Sequence, residues 1–315
     1  MIEGAVSVRD LLEMGRTALG GKEPDYLEAE MLLGAALGVG REWLLAHDDE
    51  IHDRETRVKY GAMLKERAIE GCPIAYLTGY SEFAGLKLRQ ARGVFIPRPE
   101  TEGLVELAVD WINDNLRDFP GCVVADPGCG SGAIGVAVAA LTGCRVLATD
   151  ISGEAVALTG ANAAICGVGN LVAPLAGTWL APLEGVTRRG KVFAVVSNPP
   201  YVPLGVISGL AREVAFFEPH AALDGGVDGL ECIRAVEAGA REWLAPGGLM
   251  AFEIGEDQGE AVLSLMSAAG WERGHIERDL AGKIRYAMAQ KPAIGMPMGY
   301  PLRAEAIVGR VQKRR

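Results

Sequence analysis

The segment "CVVADPGCGSGAIGVAVAALTGCRVLATDIS", Cys122 to Ser152, restricts the fold more than any other stretch of the chain. It reads as a strand, a glycine turn, a helix, a second strand and an acidic end. Two further apolar runs, "VFAVV" at 192–196 and "GGLMAFEIG" at 247–255, supply later strands. Nearly continuous apolar strands separated by helices predict an α/β fold with a doubly wound, mostly parallel sheet. In such sheets ligands lie outside the carboxyl ends of the strands. The two richest motifs, at 126–132 and 197–201, both fall there.

Composition narrows the function classes. A chain of 315 residues that is 49% hydrophobic can build one large core and a smaller domain. A formal net charge of -10 disfavours duplex DNA as a partner, because a DNA clamp needs a cationic surface. The six cysteines show no CxxC pair and the four histidines no HExxH spacing, so no metal site is expected. The start, "MIEGAVSVRDLLEMG", lacks the basic and apolar regions of a signal peptide, and no apolar run is long enough to span a membrane. A reduced, cytoplasmic protein is the expectation.

Residues 1–75 read as a small helical domain. Ser7 is placed to cap a helix with Leu11, Leu12 and Met14 on one face, and Pro24 opens a helix with Leu27, Met31 and Ala35 four apart. Helices are also expected over 41–46 and 54–69, and no strand is needed. Residues 76–98 read as a β-hairpin linker punctuated by Gly79 and Gly85. Pro97 and Pro99 bracket Arg98, and Thr101 is expected to cap the next helix. The α/β part is set at 99–290. The segment 291–315 carries six basic residues against Glu305. It reads as a solvated basic terminus, with a ribosome or RNA contact as the alternative.

In "DPGCGSG" the glycines Gly128, Gly130 and Gly132 let the backbone turn sharply and approach a ligand. Asp150 ends the next strand, where a carboxylate can accept ribose hydroxyls. Two ligands suit this unit. NAD would set its pyrophosphate on the helix N-terminus, and Gly128-x-Gly130-x-x-Ala133 satisfies a relaxed dinucleotide fingerprint. S-adenosylmethionine has no phosphate, and its cationic groups tolerate an acid such as Asp126 beside the loop. The loop alone leaves both open. Cys129 is read as a small residue fitted into that loop, since no histidine can be placed beside it.

The second motif is "SNPPY", Ser197 to Tyr201. Asn198 offers both an acceptor and a donor. Pro199 offers a carbonyl without an N–H, and Pro200 stiffens the turn. Tyr201 presents a flat ring. Together they suit a planar NH2-bearing group whose hydrogens meet fixed acceptors. Adenine and a carboxamide fit equally well. Arg98 and Glu100 are read as an interdomain ion pair. Glu218 either orients the clamp or caps a loop, and His220 is a loop residue.

"NPPY" after a strand, together with the glycine loop, resembles the class I amino-methyltransferases. "PIAYLTG" at 73–79, "SEF" at 81–83, "FIPRPETE" at 95–102, "FEPHAALDGGVDGL" at 217–230, "GGLMAFEIGEDQG" at 247–259 and "DLAGKIR" at 279–285 make nearly the whole chain similar to the release factor glutamine methyltransferases, the HemK/PrmC family. The resemblance implies a Rossmann-like class I methyltransferase domain behind a helical substrate-recognition domain. It implies S-adenosylmethionine as cofactor and release factors as protein substrate. Gly128, Cys129, Gly130, Ser131, Gly132, Asp150, Trp179 and Asn198 then fall on the cofactor site, and Asn198, Pro199, Pro200 and Tyr201 on the catalytic clamp. Methylation of a ribosomal-protein glutamine or of a nucleic-acid adenine N6 is the alternative. The family often has an acid before the tryptophan, where this chain has Thr178.

Overall fold

The computed structural model describes residues 6–21, 23–119, 121 and 123–293. Cys122 and all of the basic segment beyond 293 lie outside them. Strand β1 (Val6–Ser7) leads into helix α1 (Val8–Leu19). Ser7 Oγ accepts from the Asp10 amide at 3.1 Å, and the Asp10 carboxylate accepts in return from the Ser7 amide, so the helix start is closed by a reciprocal cap. Helices α2 (Glu23–Leu37), α3 (Arg41–Ala46), α4 (Arg54–Lys65) and α5 (Ile74–Thr78) follow. Between α3 and α4, strand β2 (Ile51–His52) pairs antiparallel with β1, a contact the apolar pattern does not signal.

The core of this part is Leu11, Leu12, Leu32, Leu33, Leu44, Tyr60 and Leu64. On α2 the buried face is therefore Ala29, Leu32 and Leu33, while Leu27 is 48% exposed. The run "MLLGAAL" is apolar all round, so a four-residue spacing chosen within it does not identify the face that packs.

The stretch from Ile74 opens with the short helix α5 rather than a strand. Tyr76 on α5 is buried and its hydroxyl donates to the Val94 carbonyl at 2.7 Å. Strands β3 (Tyr80–Phe83) and β4 (Leu86–Arg89) then form an antiparallel hairpin. Its two turn residues, Ala84 and Gly85, both have positive φ, as a right-twisted two-residue hairpin requires.

Helix α6 (Pro99–Asn115) precedes β5 (Val123–Pro127), α7 (Ala133–Thr142), β6 (Val146–Asp150), α8 (Gly153–Ile165) and β7 (Val172–Ala176). Strand β8 (Val192–Ser197), α9 (Arg212–Phe217), α10 (Glu231–Trp243), β9 (Leu244–Glu253), α11 (Gly259–Ala268), β10 (Glu272–Arg278) and β11 (Ile284–Gln290) follow among the described residues. Among the described residues the main sheet has seven strands in the order β10-β11-β9-β8-β5-β6-β7. Strands β5 to β9 are parallel, and β11 and β10 add an antiparallel edge. Helices α6, α7 and α8 cover one face and α10 and α11 the other. Phe193 and Phe252 point to opposite faces and are fully buried, each stabilising the sandwich by about 1.5–3 kcal/mol.

The chain runs outward from β5 to β7 and then returns to lay β8 on the other side of β5. The switch point of the sheet is thus between β5 and β8, where a cleft opens above the strand ends. Ser197 Oγ donates to the Pro127 carbonyl at 2.6 Å and ties the two strand ends together there. No helix among the described residues is long and apolar enough to cross a membrane. Of the basic terminal segment, Lys291 is described, and its ammonium donates to the Leu244 carbonyl at 2.7 Å.

Candidate active site

The loop after β5 holds Gly128, Gly130 and Gly132 at φ of 76°, 55° and 81°. At Gly132 a Cβ would lie 2.8 Å from Thr159 Cγ2, so both conformation and space require glycine. The loop amides are already committed. Gly128 and Cys129 donate to the Thr149 carbonyl, Gly132 to the Cys129 carbonyl, and Gly130 to Asp150 Oδ2 at 2.9 Å. In the first turn of α7, the Gly135 amide donates to Asp126 Oδ2 at 2.8 Å. Burial pushes the Asp126 carboxyl up to about 7. Its Oδ1 is buried with no hydrogen-bond partner.

This donor set decides between the two cofactors. A pyrophosphate needs free amides and no negative charge at the helix N-terminus, and here four loop amides are already bonded and the Asp126 carboxyl sits against the Gly135 amide. A cofactor with ammonium and sulfonium charges meets acceptors instead. Asp150 also accepts from the Ser152 amide at 2.9 Å, which fixes its carboxylate at the end of β6. Each of its oxygens keeps a further lone pair for a ribose hydroxyl. The residues present fit S-adenosylmethionine.

A cavity of about 990 Å³ lies over these strand ends. Gly128, Cys129, Gly130, Ser131, Asp150, Trp179, Asn198 and Pro200 line it together. Three sequence-predicted residues do not. Gly132 lies behind the loop against Thr159, and Pro199 is buried. Tyr201 packs on the neighbouring core, with its hydroxyl donating to Glu253 Oε1 at 3.1 Å. Burial and that carboxylate hold the Tyr201 phenol well above its usual range. Trp179 stands at φ 46°, and its ring lies close enough to meet a Cβ on Gly128 at 3.3 Å. Its carbonyl accepts from Thr149 Oγ1 at 2.5 Å. Thr178 lines the cavity beside it. Cys129 is buried with Sγ 3.3 Å from Thr159 Oγ1, and burial holds its thiol well above the ordinary value, far from a reactive thiolate.

The interdomain segment forms the opposite wall through Gly93, Val94, Phe95 and Pro97, joined by Pro219, Ala221 and Ala222. Arg98 does not pair with Glu100, which is exposed. It binds Glu218 at 2.5 Å, a carboxylate only 1% exposed, and its guanidinium also stacks on Phe95. Burial pushes the Glu218 carboxyl up, and Arg98 pulls it back. Glu218, next to Pro219, thus fastens the two parts of this wall to each other.

Four residues given no site role in the sequence reading complete the arrangement. Thr101 lies in the first turn of α6, with Arg98 at the cap position, and its hydroxyl donates to Glu253 Oε2 at 2.6 Å instead of closing the helix. Asn198 Nδ2 donates to Thr101 Oγ1 at 3.2 Å. Gln258 Nε2 donates to the Tyr201 carbonyl at 2.9 Å. Asn162 joins the hairpin to the glycine loop, donating to the Arg89 and Ser131 carbonyls and accepting from the Arg89 amide. The motif "EIGEDQG" contains Glu253 and Gln258, but nothing in its spacing shows that they reach the clamp.

The model described as PrmC N-terminal domain matches residues 10–79, and that of ribosomal protein L11 methyltransferase (PrmA) matches 104–198. The release factor glutamine methyltransferase of Moorella thermoacetica is 41% identical over 278 residues, covering 88% of this chain and 95% of the relative. That of Bordetella pertussis is 41% identical over 263 residues, covering 81% and 91%. The catalytic domain of hMettl16 superposes with a TM-score of 0.51 at 14% identity over 77% of this chain and 84% of that one, a likeness of fold. The fold is that of the class I S-adenosylmethionine-dependent methyltransferases, and S-adenosylmethionine is the cofactor. At this identity over nearly the full length of its relatives, the chain belongs to the release factor glutamine methyltransferase family.

Proposed function

We infer that the chain methylates the side-chain amide nitrogen of the glutamine in the Gly-Gly-Gln loop of peptide chain release factors, giving N5-methylglutamine. The relatives carry the substrate class in their names. The observation that carries the reading in this chain is Asn198. Its side chain lines the cofactor cavity at the end of β8, and its NH2 is taken by Thr101, which leaves the carbonyl oxygen to accept.

When bound, S-adenosylmethionine supplies a methyl carbon made electrophilic by its sulfonium, so the new N–C bond forms as the C–S bond breaks and its electron pair returns to sulfur. The chain's part is placement. Asp150 and Trp179 fix the nucleoside end of the cavity, and the glycine loop lets the backbone come close. Asn198 Oδ1 accepts a hydrogen of the carboxamide, which turns its nitrogen lone pair toward the methyl and stabilises the positive charge that grows there. Orientation of this kind lowers a barrier by up to about 7–11 kcal/mol. No strong base is required, since the methylated nitrogen is acidic enough to release its proton to water. Gln258 and Glu253 hold Tyr201 at both ends, so the clamp keeps its shape.

The helical part, 1–75, is assigned to recognition of the release factor, the hairpin region 76–98 to linkage, and 99–290 to catalysis. For the basic segment 291–315, a solvated terminus is the reading, and a ribosome or RNA contact the alternative. Removal of 294–315 should leave methylation intact. The test of the main reading is mass spectrometry of release factor incubated with enzyme and cofactor. One methyl, 14 Da by atomic mass, on the Gly-Gly-Gln glutamine supports it (about one CH2 per target, as expected for a single planar acceptor). Label on an adenine or another protein's glutamine, with release factor untouched, refutes it.

A further inference from the structure

Asn198 can serve as an acceptor only if its amide is held the right way round, and an amide turned by half a rotation would present NH2 to the substrate's own NH2. The groups behind it decide the orientation. Glu253 ends β9 at 1% exposure, and its two oxygens accept from two hydroxyls, Thr101 Oγ1 at 2.6 Å and Tyr201 Oη at 3.1 Å. A carboxylate only accepts, so the single proton of the Thr101 hydroxyl is directed to Glu253. Thr101 is 3% exposed, and toward Asn198 it presents a lone pair. Only the NH2 side of the Asn198 amide satisfies that lone pair.

We propose that Thr101 and Glu253 are positioning residues, a two-member relay that fixes the Asn198 carbonyl oxygen toward the substrate amide. The proposal rests on the reading of Asn198 as the acceptor of the methylated amide. The relay also carries charge: a carboxylate behind the hydroxyl raises the negative potential on the lone pair that Asn198 meets, and chains of hydrogen bonds strengthen one another. Burial pushes the Glu253 carboxyl up, while the Thr101 and Tyr201 donors and Arg285 pull it back. The same carboxylate that orients Asn198 therefore depends on both hydroxyls. Because Thr101 stands in the first turn of α6, directly after the cavity-lining segment 93–97, the relay connects that wall to the clamp.

Three near-isosteric variants test this. Thr101→Val removes the hydroxyl, Thr101→Ser keeps it, and Glu253→Gln replaces one of the two acceptors by a donor. Steady-state kinetics on release factor should show kcat lowered roughly 10- to 100-fold in Thr101→Val and in Glu253→Gln, as for a misplaced reacting group. The KM for release factor and the cofactor Kd should change by less than about threefold, since Glu253 lies outside the cavity lining and Thr101, although it lines the cavity, turns its hydroxyl to Glu253 and keeps its methyl in Thr101→Val. Thr101→Ser should restore kcat to within about threefold of the parent, and Thr101→Val should add little on an Asn198→Ala background, because residues acting as a unit are not additive. Parent-like kcat in Glu253→Gln or Thr101→Val overturns the relay. So does a Thr101→Val loss that persists undiminished without Asn198, or an equal loss in Thr101→Ser. A parent enzyme that leaves the release factor unmethylated would instead refute the underlying reading, and the two failures are separate.

Discussion

Replacing Gly132 by alanine tests the loop geometry on which the cofactor site depends. Gly132 stands at φ 81°, and an added Cβ would lie 2.8 Å from Thr159 Cγ2, 2.9 Å from its Oγ1 and 3.1 Å from its Cα. Thr159 is fully buried and its hydroxyl donates to the Gly130 carbonyl at 3.1 Å, so it cannot swing aside. A left-handed alanine costs about 1–2 kcal/mol, and overpacking a tight site about 1–3 kcal/mol more. Gly132→Ala should thus lose about 2–5 kcal/mol in urea unfolding. Gly130→Ala serves as the contrast, because a Cβ there meets nothing within 4 Å. It should lose only the conformational part, about 1–2 kcal/mol. Adding Thr159→Ala to Gly132→Ala removes both clashing γ atoms, and the double variant should be more stable than additivity predicts by about 1–2 kcal/mol. A Gly132→Ala cost below about 1 kcal/mol, or strict additivity in the double variant, would refute the steric reasoning.

Other consequences are separable. Between its ordinary value and its folded value of about 7, Asp126 holds a proton in the fold that the unfolded chain has lost, so stability falls as pH rises through 7. Between pH 6 and 8 the apo protein should lose about 1.4 kcal/mol from this group in urea titrations, and Asp126→Asn should abolish that slope. Arg98→Ala leaves Glu218 buried without its cation and should cost about 2 kcal/mol, less than the ~3–5 kcal/mol of a fully buried pair because Arg98 is partly exposed. Since the folded Glu218 pKa is raised and rises further without Arg98, the deficit should shrink as pH falls toward the carboxylate range. Trp179→Ala should weaken cofactor binding by about 1–3 kcal/mol in calorimetry if the ring stacks on the adenine.

Much of the fold was legible because parallel strands buried on both faces must be apolar throughout, and the glycine loop and Asp150 mark the strand ends directly. The antiparallel edge of β10 and β11 was not read, since the "ERGHIER" of β10 has no apolar alternation. The α2 stripe failed for the opposite reason: a run apolar on every side carries no phase. In the site, the glycine loop and the Asn198–Pro200 turn lie in two contiguous motifs and could be found by inspection. Thr101 and Glu253 could not, because their meeting depends on α6 crossing above the end of β9, a long-range contact with no local signature. Thr101 after two prolines reads as a cap from neighbours alone, and tertiary structure gives its hydroxyl to a carboxylate instead. Arg98 likewise has an acidic neighbour in sequence and a different partner in space.

The most direct test of the central claim is single-turnover methylation of intact release factor by the parent chain and by Asn198→Ala, read by mass spectrometry of the Gly-Gly-Gln peptide. The expected result is one methyl on that glutamine with the parent, and a rate lower by roughly 100-fold or more in the variant at unchanged cofactor affinity, as for loss of a group acting in the transition state. Parent-like methylation by Asn198→Ala, or no methylation of the glutamine by the parent, would contradict it.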